Sequence, residues 1–267
     1  MRHIKFFILN IFIVLWIIPS AHSENPPYSF LPHEEVKLEV FYNWSFLWVH
    51  AGNAYLKADT TMYKGIKSVR FTADGYSVKK WDFIFKLEDH YTAIAQIKPF
   101  RPLFYEKNTM EGGYWIHNIY HFDWKENRIK VFTESKRRPV VDTVYNLKKP
   151  LFDVLSATYY LRTLNTDTLS IGDVIPVPLI TDGQFVTYNI SFDGTGVLKR
   201  HNKKIVCNVF SAIVSRSTFF SADNPLKIYV SRDPKNFIIY AEANIVVGSI
   251  KVYQEGYKYY KPLRVRK

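Results

Sequence analysis

Apolar and polar residues alternate along most of the chain, which is typical of β-strands with one buried face. In the segment EVKLEVFY, Val36 and Val40 share one side while the intervening acidic and basic residues face the other. The same pattern places Ile190, Ile228 and Val230 on inward faces of later segments. The predicted strands cover residues 35–42, 47–57, 66–73, 85–96, 102–107, 114–124, 128–135, 140–147, 185–192, 204–214, 226–231, 237–246 and 249–254.

Short turn-forming segments separate these strands and predict hairpins between successive strands. The predicted turns lie at residues 123–127, 193–196, 199–204 and 233–236. Residues 76–83 are ambiguous, because they fit either two helical turns or a strand interrupted by a bulge. A meander of so many twisted strands tends to curl or close.

One segment, DVLSATYYLRTL, repeats with the period of a helix. Asp153 can cap its start. An apolar stripe of Val154, Ala157, Leu161 and Leu164, with Leu155 and Tyr159 beside it, predicts packing on a sheet. The sequence therefore predicts a mainly β protein. We expect a single large antiparallel, strongly curved sheet or a half-open β-barrel, with one central helix packed on it or plugging it.

The first 23 residues have the pattern of a secretory signal peptide. Arg2 and Lys5 precede an apolar run over residues 6–18, and a small-residue cleavage pattern ends at Ser23. An uncleaved membrane anchor is the alternative. We expect export to the bacterial periplasm, the envelope or the exterior, and a single β-rich domain over residues 24–267, since no linker divides the chain.

The chain has a single cysteine and a formal net charge of +12. Cys207 alternates with strand residues, which favours a buried apolar role over a nucleophilic one. A long exported domain without disulfides is more typical of bacteria. The positive charge favours anionic neighbours, whereas export argues against nucleic acid.

Basic residues cluster at predicted turns and near the C-terminus. They either keep a β protein soluble and its edges unpaired, or contact an anionic membrane peripherally. The candidates for such contacts are Lys136, Arg137, Arg138, Lys199, Arg200, Lys258 and Lys261.

The helical segment DVLSATYYLRTL, preceded by EGGYWIHNIYHFD, resembles the central signature of the bacterial exported family called domain of unknown function 3108, or DUF3108. The segments EVFYNWSFLWVHAGNAYL and IYVSRDPKNFIIYAEANIVVGSIKV resemble its two flanking blocks, although Tyr229 stands where many relatives have tryptophan. The resemblance implies an exported, strand-rich envelope protein. The family has no established activity, so no catalytic residue is transferred. By architecture it is similar to periplasmic carriers of lipids and lipoproteins, in which a helix closes the concave face of a curved sheet.

Catalytic chemistry has little support in the sequence, and we predict no catalytic residue, metal site or cofactor. His117 and His121 have a metal-binding spacing only in a helix, because four residues of strand separate side chains by ~13 Å. The enzymatic alternative, which is less favoured than a noncatalytic role, is a hydrolase that uses His121 and Asp123.

The favoured hypothesis is a noncatalytic exported protein that binds an apolar or acylated envelope component, such as a lipid or lipoprotein, in its curved sheet. Arg162 is the candidate anchor for an anionic headgroup, because a guanidinium can bind a carboxylate or phosphate bidentately. The other candidate ligand-binding residues are Tyr159, Tyr105, Trp115, Tyr188, Phe83 and Phe85. The alternatives are a structural or interaction protein with a solid core and, less favoured, an integral outer-membrane barrel. The sequence does not indicate an oligomeric state.

Overall fold

A computed structural model describes residues 33–147, 150–212, 226–233, 235–244 and 248–259. Most of these residues lie in strands of one 15-stranded sheet. The strands are β1 (Glu34–Trp44), β2 (Leu47–Tyr63), β3 (Ile66–Ser77), β4 (Leu87–Gln96), β5 (Arg101–Glu111), β6 (Tyr114–Asp123), β7 (Arg128–Ser135), β8 (Val141–Asn146), β9 (Phe152–Asp153), β10 (Val174–Thr181), β11 (Gln184–Arg200), β12 (Lys203–Ala212), β13 (Leu226–Ser231), β14 (Ile238–Asn244) and β15 (Ser249–Tyr259). The helix α1 is Val154–Arg162. The predicted signal peptide lies outside the described residues.

The strands follow the spatial order β8-β7-β6-β5-β4-β3-β2-β1-β15-β14-β13-β12-β11-β10-β9. Every neighbouring pair is antiparallel except β9 and β10, which are parallel. Sequential pairing therefore runs in two meanders that meet at the pair β1–β15. The mainly β fold with one curved sheet and one helix is confirmed.

Among the described residues, backbone hydrogen bonds do not close the sheet, but side chains join its two halves. The turn between β10 and β11 reaches β5 and β6, where Asp182 accepts hydrogen bonds from Lys107 at 2.9 Å and from Asn118 at 2.8 Å. Tyr145 of β8 contacts Phe185 of β11 with a ring-centre distance of 5.0 Å. The molecule is a half-open barrel, because contacts across the gap replace a hydrogen-bonded seam.

Helix α1 lies on the inner face of the sheet and divides its core in two. On one side, Leu155 and Tyr159 pack with residues of β2 to β7 such as Phe71. On the other side, Ala157 packs with residues of β10 to β13 such as Phe210. Among the described residues, no helix is long and apolar enough to cross a membrane.

The helix buries only part of the predicted apolar stripe. Ala157 is buried, as are Leu155 and Tyr159 beside it and Arg162 in the last turn, whereas Val154 is 38% exposed. The helix also ends at Arg162, so Leu164 lies beyond it. The prediction was wrong for Val154 because α1 sits inside a concave sheet. Its environment is therefore apolar on two sides, and a single amphipathic stripe does not describe it.

Two local predictions are also corrected. Residues 193–196 do not form a hairpin turn, since β11 continues through them to Arg200. The strand register shifts between Phe192 and Gly194, and Gly194 has φ of 92°, so the segment is a β-bulge. Residues 76–83 contain a single 3-10 turn, Lys79–Trp81, in place of either predicted conformation.

Strand β10 was not predicted, because Pro176 and Pro178 interrupt its apolar pattern. Proline lacks an N–H group and is disfavoured in central strands. Here β10 lies next to the last strand, and its partner on that side, β9, has only two residues. The prolines are tolerated because little hydrogen bonding is required along that side.

Candidate functional site

Helix α1 begins at a buried carboxylate, Asp153. Its Oδ1 accepts a hydrogen bond from the backbone N–H of Ser156 at 2.7 Å, which confirms the predicted cap. Burial raises the pKa of Asp153 to about 6, and hydrogen bonds from the first helical turn oppose that rise. Asp153 and Ser156 are fully buried. The carboxylate of Asp153 therefore caps the N-terminus of α1.

An ion pair fixes the last turn of α1 to β1. Arg162 Nη1 and Nη2 donate to Oε1 and Oε2 of Glu34 at 2.6 and 3.1 Å. The same guanidinium donates to the carbonyl oxygen of Lys235 and lies 4.7 Å from the ring centre of Phe237. Arg162 is 5% exposed and Glu34 is 1% exposed. An anionic headgroup at Arg162 would have to displace Glu34.

An apolar cleft lies between α1 and strands β11 to β14. It encloses about 40 Å³ and is partly open. Its apolar wall consists of Leu161, Leu164, Ile190, Phe210, Ile228, Val230 and Ile238. The polar residues at its border are Thr158, Arg162, Thr166 and Asn236. A narrow apolar group fits this shape, because most of the wall is aliphatic and Arg162 is the one charged residue among the described residues that border it.

Two of the predicted ligand-binding tyrosines lie in the half of the core that α1 forms with β2 to β7. Side chains fill this half, and we call it the filled half of the core. The ring of Tyr159 stacks on Phe71 at 3.8 Å, and the ring of Tyr105 stacks on Tyr120 at 5.3 Å. Burial raises the pKa of both Tyr159 and Tyr105 above the ordinary value. These rings pack against protein and not against an open space.

The remaining four predicted ligand-binding residues are dispersed. Tyr188 packs against the core cluster that borders the cleft. Phe83 and Phe85 are exposed in the connection between β3 and β4, at 82% and 42%. Trp115 is half-buried and lies next to the buried Ile116, on the other face of β6. The structure therefore does not bring the seven predicted ligand-binding residues into one site.

The predicted membrane-contact residues lie at opposite ends of the sheet. Lys136, Arg137 and Arg138 follow β7, whereas Lys199 and Arg200 end β11, which runs in the other direction. Arg200 is also engaged: it pairs with Glu39 and Glu255 and lies 4.1 Å from the ring centre of Tyr253. Lys258 belongs to β15, and Lys261 lies outside the described residues. One flat membrane cannot contact both clusters.

His121 and Asp123 lie on β6 but contact different residues. Asp123 Oδ1 accepts hydrogen bonds from the backbone N–H groups of Lys125 and Glu126 at 3.1 and 3.0 Å, which shapes the turn to β7. The ring of His121 lies 5.2 Å from that of Phe104. Burial, with help from nearby lysines, lowers the pKa of His121. The carboxylate of Asp123 is thus used by the turn.

His117 is on the same strand, as the sequence predicted, and its Nε2 lies 3.0 Å from Oε1 of Glu106. No group of three or more metal-ligating side chains occurs among the described residues. Cys207 is buried, and burial raises the pKa of its thiol. The position of this thiol agrees with the predicted apolar role.

A polar cluster links the two halves of the barrel near the β10–β11 turn. Asp182 binds Lys107 and Asn118 there, and Asp89 lies close by on β4. Burial and then the charge of Glu111 raise the pKa of Asp89 to about 7. This cluster ties strands together across the open side of the sheet.

Sequence reasoning placed Ile190, Ile228 and Val230 on inward faces but did not identify a cleft. The period-2 pattern gives the face of a residue, not the gap between that face and the helix. Glu34 was missed as the partner of Arg162, because a charged residue beside a strand is most often solvated.

The family model described as "Protein of unknown function (DUF3108)" matches residues 37–255. The chain is similar in structure to a Brucella abortus protein solved as "Crystal Structure of Beta-barrel-like Protein of Domain of Unknown Function DUF1849". That likeness has a TM-score of 0.51 at 8% identity and covers 86% of this chain and 99% of that one. It shows a shared fold. A comparison with curated proteins gives no match.

Proposed function

The chain belongs to the DUF3108 family, and we propose that it is a noncatalytic binding protein of the bacterial envelope that holds an acyl chain in the cleft beside α1. The observation that carries this proposal is the aliphatic wall of the cleft, which lies between a helix and the concave side of the sheet. Export, and with it an envelope location, rests on the pattern of the first 23 residues.

The size of the cleft limits the ligand. An enclosed volume of about 40 Å³ accommodates only a short part of an acyl chain. Because the cleft is partly open, the rest of the chain would lie along the apolar residues of β11 to β14 or project outward. The proposed ligand is therefore an acylated molecule with a single inserted chain, such as an acylated peptide or a lysophospholipid.

The ligand would be recognised by apolar contact more than by charge. Arg162, which borders the cleft, is engaged by Glu34 and by the carbonyl of Lys235. The neutral donors at the border are Thr158, Thr166 and Asn236, and Asn236 already donates to the carbonyl oxygens of Arg162 and Leu164. A headgroup would consequently stay at the surface.

The test is solvent extraction of the protein purified from bacterial envelopes, followed by mass spectrometry. Ile228→Trp places a large ring in the cleft, and Val206→Trp adds the same ring on β12 at a position that is 52% exposed. We expect a co-purifying acylated molecule in the unmodified protein and in Val206→Trp. The amount should fall about tenfold or more in Ile228→Trp, which corresponds to ~1.4 kcal/mol of binding free energy.

A lipid-free spectrum from the unmodified protein would overturn the proposal. So would an equal amount of ligand in Ile228→Trp. Both variants need melting curves close to that of the unmodified protein. Loss of ligand can then be assigned to the cleft and not to unfolding.

A structural or interaction protein is the second candidate, and the filled half of the core favours it. Tyr105, Tyr120 and Tyr159 are almost completely buried there, together with Phe71. In that case a pull-down from native envelopes should recover a stoichiometric protein partner without lipid.

A further inference from the structure

Large apolar side chains are exposed together at one end of the sheet. Antiparallel pairing places the β1–β2 hairpin and the β3–β4 connection at that same end. We call this surface the aromatic edge and define it as Trp44, Phe46, Leu47, Trp48, Phe83 and Ile84. Phe46 is 97% exposed and Phe83 is 82% exposed. Neighbouring exposed groups of this size are characteristic of an interaction surface.

The β1–β2 hairpin projects beyond its neighbours. The pairing of β1 with β15 stops at Asn43 and Ser249, and the pairing of β2 with β3 starts at Gly52. Residues 44–51 therefore extend past the adjacent strands. The ring of Trp48 is supported by Phe41 at 5.6 Å, so the hairpin is packed at its base and bare at its tip.

The β3–β4 connection is attached to the side of this hairpin. The backbone N–H of Val78 donates to the carbonyl of Ala51 at 2.8 Å, and Nε1 of Trp81 donates to the carbonyl of His50 at 3.2 Å. These bonds fix the connection that carries Phe83 and Ile84 beside the hairpin. The two parts of the aromatic edge are therefore held next to each other by hydrogen bonds.

The same end continues to the basic turn after β7. Phe85 lies against Gly112 in the β5–β6 turn, and Nζ of Lys136 donates to the carbonyl of Gly113 at 2.7 Å. The guanidinium of Arg137 lies 5.5 Å from the ring centre of Tyr114. Apolar and cationic side chains thus form one continuous border.

Cations outnumber acids along this border. Asp82 is bound by the hydroxyl of Ser77, and Glu242 pairs with Lys251, whose Nζ lies 5.2 Å from the ring centre of Trp48. Glu88 pairs with Lys86 at 3.1 Å, and Glu111 at the end of β5 makes no ion pair among the described residues. Within the described ranges, five cations here make no ion pair with an acid. They are Lys79, Lys80, Lys136, Arg137 and Arg138.

We propose that the aromatic edge is a membrane-docking surface that inserts into the headgroup region of an anionic lipid bilayer. Tryptophan is favoured at that depth, phenylalanine and leucine extend further, and flanking lysines and arginines bind acidic headgroups. The edge is a projecting tip and not a groove, which suits a soft planar surface better than a folded protein partner. The surface is separate from the cleft, so its test is independent of the proposed ligand.

The test is sedimentation of the purified protein with vesicles made of equal parts phosphatidylglycerol and phosphatidylcholine. The edge variant is Phe46→Ser with Phe83→Ser. The matched control is Met62→Ser with Ile171→Ser, which removes two apolar side chains that are 65% and 78% exposed at the other end of the sheet. All four positions are exposed, so both variants should melt close to the unmodified protein.

We expect the unmodified protein and the control to sediment with the anionic vesicles. The edge variant should bind these vesicles at least about tenfold more weakly. Vesicles of phosphatidylcholine alone should bind less of every protein, because the cations then lose their partners. Equal binding by the edge variant and the control would overturn the proposal, as would no sedimentation of the unmodified protein. A change of oligomeric state in the edge variant without vesicle binding would assign the edge to self-association and overturn it as well.

Discussion

Arg162 at the end of α1 and Glu34 at the start of β1 form a bidentate ion pair, although 128 residues separate them in the sequence. The pair joins the helix to the strand at which the two meanders of the sheet meet. Both residues are almost fully buried, so the desolvation of each charge is offset mainly by the other. The pair therefore fixes where the helix rests inside the sheet.

Removing one partner of this pair should be strongly destabilising. Glu34→Gln leaves a buried guanidinium with a neutral partner, and Arg162→Met leaves a buried carboxylate. We expect each to lower the free energy of unfolding by about 3 kcal/mol, measured by urea denaturation.

The double variant is the control for that prediction. Because neither charge remains, its loss should be smaller than the sum of the two single losses. Additive losses would show that the two side chains do not stabilise the fold through each other.

The helix cap gives a second prediction. Asp153→Ala removes the acceptor for the N–H of Ser156 and should cost about 1 kcal/mol. Asp153→Asn keeps an acceptor and removes the buried charge, so above pH 6 it should unfold at the same urea concentration as the unmodified protein or a higher one. An equal loss in both variants would contradict the role of the cap.

The buried carboxyl of Asp89 predicts a pH dependence. In the unfolded chain it ionises near 3.8, whereas its pKa in the folded protein is about 7. The folded state thus holds the proton more tightly between these values, and its stability falls as the pH rises from about 4 to about 7. The loss attributable to Asp89 is at most ~4 kcal/mol.

Asp89→Asn should flatten the stability profile in that window, as followed by urea denaturation at a series of pH values. Asp123→Asn, at an exposed turn, is the matched control and should keep the original slope. A profile unchanged by Asp89→Asn would show that the carboxyl is already ionised in the folded protein at pH 4.

Gly52 predicts a backbone constraint beside the aromatic edge. A Cβ atom there would lie 2.6 Å from the carbonyl oxygen of Tyr76, at the end of the β2–β3 pairing. Gly52→Ala should therefore lower the melting temperature by several degrees, roughly 2–4 °C per kcal/mol for a domain of this size. A Cβ atom at Gly256 would have no described atom within 4 Å, so Gly256→Ala should leave the melting temperature nearly unchanged.

The alternating residues were sufficient to predict most strands and the confirmed fold class, because each strand has one buried face. Strand β10 was missed because Pro176 and Pro178 interrupt its pattern, and the bulge at Gly194 was predicted as a turn because it has the composition of one. Whether prolines or a glycine are tolerated within a strand depends on the position of that strand in the sheet, which a local pattern does not contain.

The candidate site was less predictable than the fold. Size and position in the sequence selected Tyr105 and Tyr159, which fill the core, whereas Leu161 and Ile238 line the cleft. Whether an inward residue meets another side chain or an open space depends on how α1 is placed, and a long-range ion pair sets that placement. Phe83 was also selected as a cavity residue, but it lies in the connection between β3 and β4 and is 82% exposed.

Photo-crosslinking with a fatty acid that carries a diazirine near its methyl end would show whether the cleft beside α1 holds an acyl chain. We expect labelled peptides from the end of α1 and from β11 to β14, with labelling lost in Ile228→Trp and kept in Val206→Trp. Labelling confined to the aromatic edge, or labelling that persists in Ile228→Trp, would contradict an acyl-binding cleft.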